Sequence, residues 1–108
     1  MIKVNFFYPN AEGSTFDLDY YTNIHVPLAK KCFGDALKGL CIDSGMSSLM
    51  PNSKPPFHVI GTLYFDSVES FYDAVTPHVD TLRSDAAKYY DQDALIQISE
   101  ITVDHEKF

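Results

Sequence analysis

The chain has one arginine, Arg83, no tryptophan, two cysteines and five glycines in 108 residues. Each scarcity excludes something. Eight Lys and Arg stand against fifteen Asp and Glu, giving a formal net charge of −7. Nucleic-acid binding needs clustered basic residues to neutralise phosphates, so that class is set aside, as is an anionic membrane surface. A lone arginine makes no bidentate anion clamp. Cys32 and Cys41 lack the CxxC spacing of a redox or zinc motif, and a single possible bridge does not define a secreted scaffold. They read as reduced, half-buried thiols. No run approaches the 18 apolar residues of a membrane span, and MIKVNFFYP has no basic segment leading into an apolar one. The expectation is a soluble, cytoplasmic protein without nucleic-acid or membrane partners. GxGxxG, GxxxxGK[ST], HxH and HExxH are all missing, so neither a cofactor nor a metal is expected.

What is abundant is aromatic. Eight Phe and seven Tyr fill a core quickly and line pockets for small apolar ligands. The length is that of one domain over residues 1–108. Residues 2–8, IKVNFFY, alternate Ile2, Val4, Phe6 and Tyr8 against Lys3, Asn5 and Phe7, which is strand patterning. Residues 15–33 place Phe16, Tyr20, Ile24 and Leu28 at fourfold spacing, with Tyr21, His25 and Cys32 beside them, which is helical. Thr15 or Ser14 is the expected N-cap and Gly34 the expected C-cap. Residues 36–47 read as a strand broken by glycines, 48–56 as a proline-rich loop, and 57–66 as a central strand apolar on both faces. A second helix begins near Asp66 and Ser67. Its apolar face is Phe71, Val75, Val79 and Leu82, flanked by Ala74, His78 and Ala86. Residues 94–103 form a last strand.

The order β-α-β-β-α-β is the ferredoxin-like α+β arrangement, a four-stranded antiparallel sheet with two helices on one face. Large apolar side chains of both parities leave the second face of the sheet to be covered. A second copy of the chain covers it most simply, so a homodimer is expected.

The run Phe16-Asp17-Leu18-Asp19-Tyr20-Tyr21 followed by His25-Val26-Pro27-Leu28 resembles the EthD family of the dimeric α/β-barrel superfamily. The likeness extends weakly to TLRSDAAKYYDQDALIQISEI. It implies a sheet-to-sheet dimeric barrel and a place among small cofactor-free proteins that include monooxygenases, lactone isomerases and polyketide cyclases. The family's name comes from ether degradation, where the protein accompanies an oxidative system. The loop SLMPNSKPP matches no functional motif.

His25 is the leading catalytic candidate. It flanks the apolar stripe beside Tyr21, and Pro27 removes a donor to the carbonyl of Asn23, loosening the helix there. A histidine in a space so opened acts as general acid or base near neutral pH. Otherwise its ring bonds a carbonyl and packs as core. Tyr21 is the second catalytic candidate, since a phenol can stabilise an oxyanion. Tyr20, Leu28, Phe6 and His58 are the binding candidates. His58 shares strand parity with Ile60, Thr62 and Tyr64, and the sequence leaves open whether that face meets the helices or a partner. The expected ligand is a small apolar or partly oxidised organic molecule in an apolar pocket between sheet and helices. The chemistry is cofactor-independent oxidoreductase (monooxygenase-type) or isomerase proton transfer. The alternatives are a non-catalytic accessory protein holding a hydrophobic metabolite for a partner oxygenase, and a structural dimer with a filled core.

Overall fold

The computed structural model describes all residues from Met1 to Phe108. Four strands, β1 (Ile2–Pro9), β2 (Gly39–Ser44), β3 (Phe57–Phe65) and β4 (Leu95–Glu100), form one antiparallel sheet in the order β2-β3-β1-β4. The two central strands are the two most apolar ones. Ile2, Val4 and Tyr8 of β1 and Val59, Leu63 and Phe65 of β3 point to the helical side and are buried there. Lys3, Asn5, Phe7, Ile60, Thr62 and Tyr64 point to the other side, which no element of the chain covers. This is the ferredoxin-like fold that the element order predicts.

The first helical leg is not one helix. It comprises α1 (Leu18–Tyr20), a π turn (Tyr21–His25) and α2 (Val26–Phe33). The cap differs from expectation. Phe16 pairs with Tyr90 in a short β-bridge and the Asp17 amide donates to the Tyr89 carbonyl at 2.8 Å, so the chain stays extended through Asp17. Asp17 then caps the helix, its side chain accepting from the Tyr20 amide at 3.1 Å. The Ser14 hydroxyl is used elsewhere, on the Ala11 carbonyl and the His58 ring. Gly34, at φ 56°, ends α2 as expected, in a backbone region that favours glycine.

The second leg is α3 (Val68–Val75), a 3₁₀ turn over Thr76–His78 at Pro77, and α4 (Val79–Ala86). Ser67 caps α3 by accepting from the Ser70 amide. β2 is shorter than the apolar run, because residues Gly34–Ala36 close a 3₁₀ turn first.

The core falls into two clusters. One is aliphatic and phenylalanine-rich: Ile2, Val4, Phe33, Leu63, Phe65 and Phe71. The other is made of tyrosines around Val59: Tyr8, Tyr21, Tyr89 and Tyr90. Phe6 packs against both.

Candidate functional site

The π turn sets the site. The Val26 amide reaches back five residues to the Tyr21 carbonyl, which widens the helix just before Pro27 enters the first turn of α2. In a π turn, residues four apart lie almost above one another, and such bulges are frequent at functional sites. Tyr21 and His25 accordingly both turn inward, with rings 5.8 Å apart and 18° from parallel.

His25 is only 9 % exposed, and its Nδ1 lies 2.9 Å from Oδ2 of Asp85 on α4. Oδ1 of the same carboxylate accepts from the Tyr20 hydroxyl at 2.7 Å, with Lys88 Nζ at 3.9 Å. Burial pushes the Asp85 carboxyl up, but the hydrogen bonds from Tyr20 and His25 outweigh it and hold it ionised, below its ordinary value. Burial lowers the His25 pKa, and the Asp85 carboxylate opposes this without reversing it. At neutral pH the ring is therefore neutral, with Nδ1–H donating to Asp85 and the lone pair on Nε2. Nε2 has no protein partner, yet no buried side-chain polar atom of the chain goes unpaired. Nε2 therefore reaches accessible space.

A stability consequence follows. The unfolded chain takes up a proton on His25 near its ordinary pKa, while the folded chain resists until a lower pH. Between those values the unfolded state binds more protons, so stability falls as pH drops. His58, also lowered by burial, adds in the same direction. The melting midpoint is expected to decline from pH 7.5 to pH 5.5 in a thermal scan, with a shallower decline in His25→Gln.

Where the sequence predicts an apolar pocket, rings fill the space between His25 and the sheet. Tyr89 lies 4.7 Å from the His25 ring, and Tyr8 lies 5.6 Å from Tyr21. Tyr8, Tyr21, Tyr89 and Phe16 pack ring against ring there. The depression beside the pair is polar instead. It measures about 430 Å³, opens to solvent, and is lined by Leu28, Asp80, Thr81, Ser84, Asp85 and Lys88.

Among the expected binding residues, Tyr20 binds Asp85, Leu28 borders the depression, and Phe6 lies in the sheet opposite Gly61. His58 does not join His25. Ile60, Thr62 and Tyr64 face away from the helices, but a β-bulge sets Tyr8 opposite Val59 and Pro9 opposite Phe57, skipping His58. The bulge turns His58 to the helical side, where it stacks on Phe16 at 5.8 Å and bonds Ser14 at 2.9 Å through Nε2. Asp85, Tyr8 and Tyr89 are members of the site that the sequence reading misses. Asp85 had a signal: positions 71, 75, 78, 82, 85 and 89 form one stripe at helical spacing, and a carboxylate on that stripe must be buried with partners.

Gly61 is the floor of the site. A Cβ there would lie 2.7 Å from the Tyr21 hydroxyl oxygen. Gly61→Ala is expected to lose about 1–3 kcal/mol of stability, as overpacked cores do, measured by urea unfolding. In a double variant with Tyr21→Phe most of that loss is expected to disappear.

The model of the EthD domain matches residues 14–93, a span that contains the π turn, His25, Gly61 and Asp85. The chain belongs to the EthD family. An EthD-like protein of Ralstonia eutropha JMP134 superposes with a TM-score of 0.91 at 35 % identity, covering 96 % of this chain and 94 % of that one. An ethyl tert-butyl ether degradation (EthD) family protein of Bacillus halodurans C-125 follows at TM-score 0.73 and 24 % identity, over 94 % of this chain and 99 % of that one. An antibiotic biosynthesis monooxygenase shares the fold alone, at TM-score 0.52 and 13 % identity over 95 % of this chain and 100 % of that one. No curated protein matches the sequence. No helix is long and apolar enough to cross a membrane.

Proposed function

We propose that this EthD protein is a cofactor-independent catalyst of proton transfer on a small, partly oxidised organic molecule, with His25 as the base. The observation that carries the reading is the asymmetry of the His25 ring. Nδ1 is fixed by Asp85 at 2.9 Å, while Nε2 is unpartnered and reachable. A histidine kept only for packing has both nitrogens satisfied or its ring sealed. Here one nitrogen is locked as a donor, which makes the other a lone-pair base at neutral pH. Nε2 takes a proton from carbon or oxygen of the substrate and returns it to a second position, which is isomerase chemistry. With an acidic phenol or enol, the substrate anion so formed is the species that reacts with oxygen in a cofactor-free oxygenase. The ether-degradation association of the EthD name fits a role on oxidised fragments of such compounds. The protein acts as a single-domain homodimer in the cytoplasm, with Tyr21 as the hydrogen-bond donor to the substrate oxygen and Tyr20 holding Asp85. Leu28 borders the approach beside Asp85.

Solvent-deuterium incorporation into a panel of small ketones, lactones and phenols, followed by NMR, tests the reading. The wild type is expected to accelerate exchange into at least one compound, and His25→Ala to lose the acceleration. Thermal stabilisation by a compound without exchange, persisting in His25→Ala, supports the accessory-protein reading instead.

A further inference from the structure

The loop between β2 and β3, residues 45–56, holds three large apolar side chains out in solvent. Met46 is 93 % exposed, Leu49 96 % and Met50 68 %. The loop is braced at its root. The Gly45 amide donates to the His58 carbonyl at 2.9 Å, and a Cβ on Gly45 would collide with the Phe57 carbonyl oxygen and the Pro55 ring. Asn10, just after β1, holds the returning segment. Its amide donates to the Pro56 carbonyl at 2.9 Å and its Nδ2 to the Pro55 carbonyl at 3.1 Å. At the tip the Ser53 amide donates to the Met50 carbonyl at 3.2 Å, with Asn52 at φ 63° closing the turn. Such an arm gains nothing from its apolar tip in a single chain. Burying that tip elsewhere is favourable, and methionine adapts to an irregular pocket.

The opposite end of the sheet has a pocket. It measures about 350 Å³ and is lined by Met1, Tyr64, Ile101, Thr102 and Asp104. Tyr64 is on the side of the sheet that no helix covers. From Phe57 at the arm to Tyr64 at the pocket, β3 rises roughly 23 Å, so the arm projects from the end away from its own pocket. Truncating one leucine in a core leaves a cavity of about 150 Å³, so this pocket admits a methionine or leucine side chain with its flanks. The charges also match. Lys54 is the arm's one charged residue and has no ion pair within the chain, while the pocket wall carries the Asp104 carboxylate.

We propose that the 45–56 arm of one copy of the chain seats its apolar tip in the Met1–Tyr64–Ile101 pocket of a second copy. Two sheets packed face to face about a two-fold axis that crosses the strands set the arm end of each over the pocket end of the other. The contact then forms twice, each time bringing Lys54 toward Asp104. An axis along the strands sets arm against arm instead. That arrangement places Lys54 near Lys54 and leaves both pockets without an arm.

The assignment rests on the homodimer reading and adds to it a direction and a contact. Crosslinking separates the two. In a background of Cys32→Ser and Cys41→Ser, one protein carries Met50→Cys and a second, distinguished by a mass tag, carries Thr102→Cys. The two are mixed, left to exchange subunits, and treated with a short bismaleimide. A linked pair of unlike chains is the expected product, with little self-linking by either. Self-linking of Met50→Cys without the mixed product overturns the arm–pocket contact. A dimeric wild type whose variants give no linked product overturns it too and leaves the dimer standing. A wild type of 12.2 kDa in light scattering removes the dimer and the contact together. Affinity gives a second readout through the double variant Leu49→Ser, Met50→Ser. Both residues are exposed in the single chain, so the fold is expected to survive, while the dimer dissociation constant rises about ten-fold or more. An unchanged constant overturns the proposal.

Discussion

Asp85→Asn is expected to cost about 10²- to 10⁴-fold in any proton-transfer rate of this protein, the range that one positioned acid–base group supplies. The reason lies in the tautomer. The carboxylate can only accept, so it holds the proton of His25 on Nδ1 and leaves the Nε2 lone pair free. An amide in its place can also donate from its NH₂, and the Tyr20 hydroxyl at 2.7 Å already occupies one oxygen of the carboxylate. The amide satisfies Tyr20 with its oxygen and turns its NH₂ toward Nδ1, which moves the ring proton to Nε2. The base is then spent before substrate arrives. Asp85→Ala has a different signature. It strips a buried histidine and a tyrosine hydroxyl of their shared acceptor. About 2–4 kcal/mol of stability is expected to go with it, or roughly 10 °C in melting midpoint. Rates for the two variants, each read against its own stability curve, separate tautomer from fold. Full activity in Asp85→Asn means that the carboxylate only braces the two helical legs.

The separation between legible and illegible features has a physical basis. Period-two alternation in residues 2–8 and the apolar run at 57–66 identified the two central strands, because burial on one or both faces writes itself into composition. Gly34 marked a helix end for a steric reason local to one residue. Tyr21 and His25 were readable as inward-facing because they are four apart on one leg. Their partners are not local. Asp85 is 60 residues from His25, and Tyr89 is 81 from Tyr8. Only the position of Asp85 on an otherwise apolar stripe betrayed it. His58 was misplaced by one skipped residue, since the bulge at the Tyr8–Pro9 step reverses its parity. The expected cavity beside Pro27 failed for a related reason. The π turn does absorb the missing donor, but it uses the extra width to bring in two rings.

Ile60→Glu is expected to convert the protein from a species of twice 12.2 kDa to one of 12.2 kDa in light scattering. The side of the sheet opposite the helices bears Phe7, Ile60 and Tyr64 on its two central strands, with Phe57 turned against Phe7 at a ring separation of 5.2 Å. No helix or strand of the chain covers that side, and the molecule is a slab of 39 × 39 × 20 Å whose broad faces leave room for the roughly 800 Å² that each partner of a stable interface buries. In an isologous dimer each substitution enters the interface twice. A glutamate at position 60 therefore buries two carboxylates beside the rings of Phe7 and Phe57, a cost of several kcal/mol apiece that exceeds what a modest interface supplies. The same face holds the buried pair Asn5 and Thr62, joined at 2.9 Å. Tyr72→Glu, on the helical side at a residue 52 % exposed, is the control and is expected to remain dimeric. A wild type already at 12.2 kDa removes the sheet face as an interface, and a dimeric Ile60→Glu protein relocates the contact to the helices.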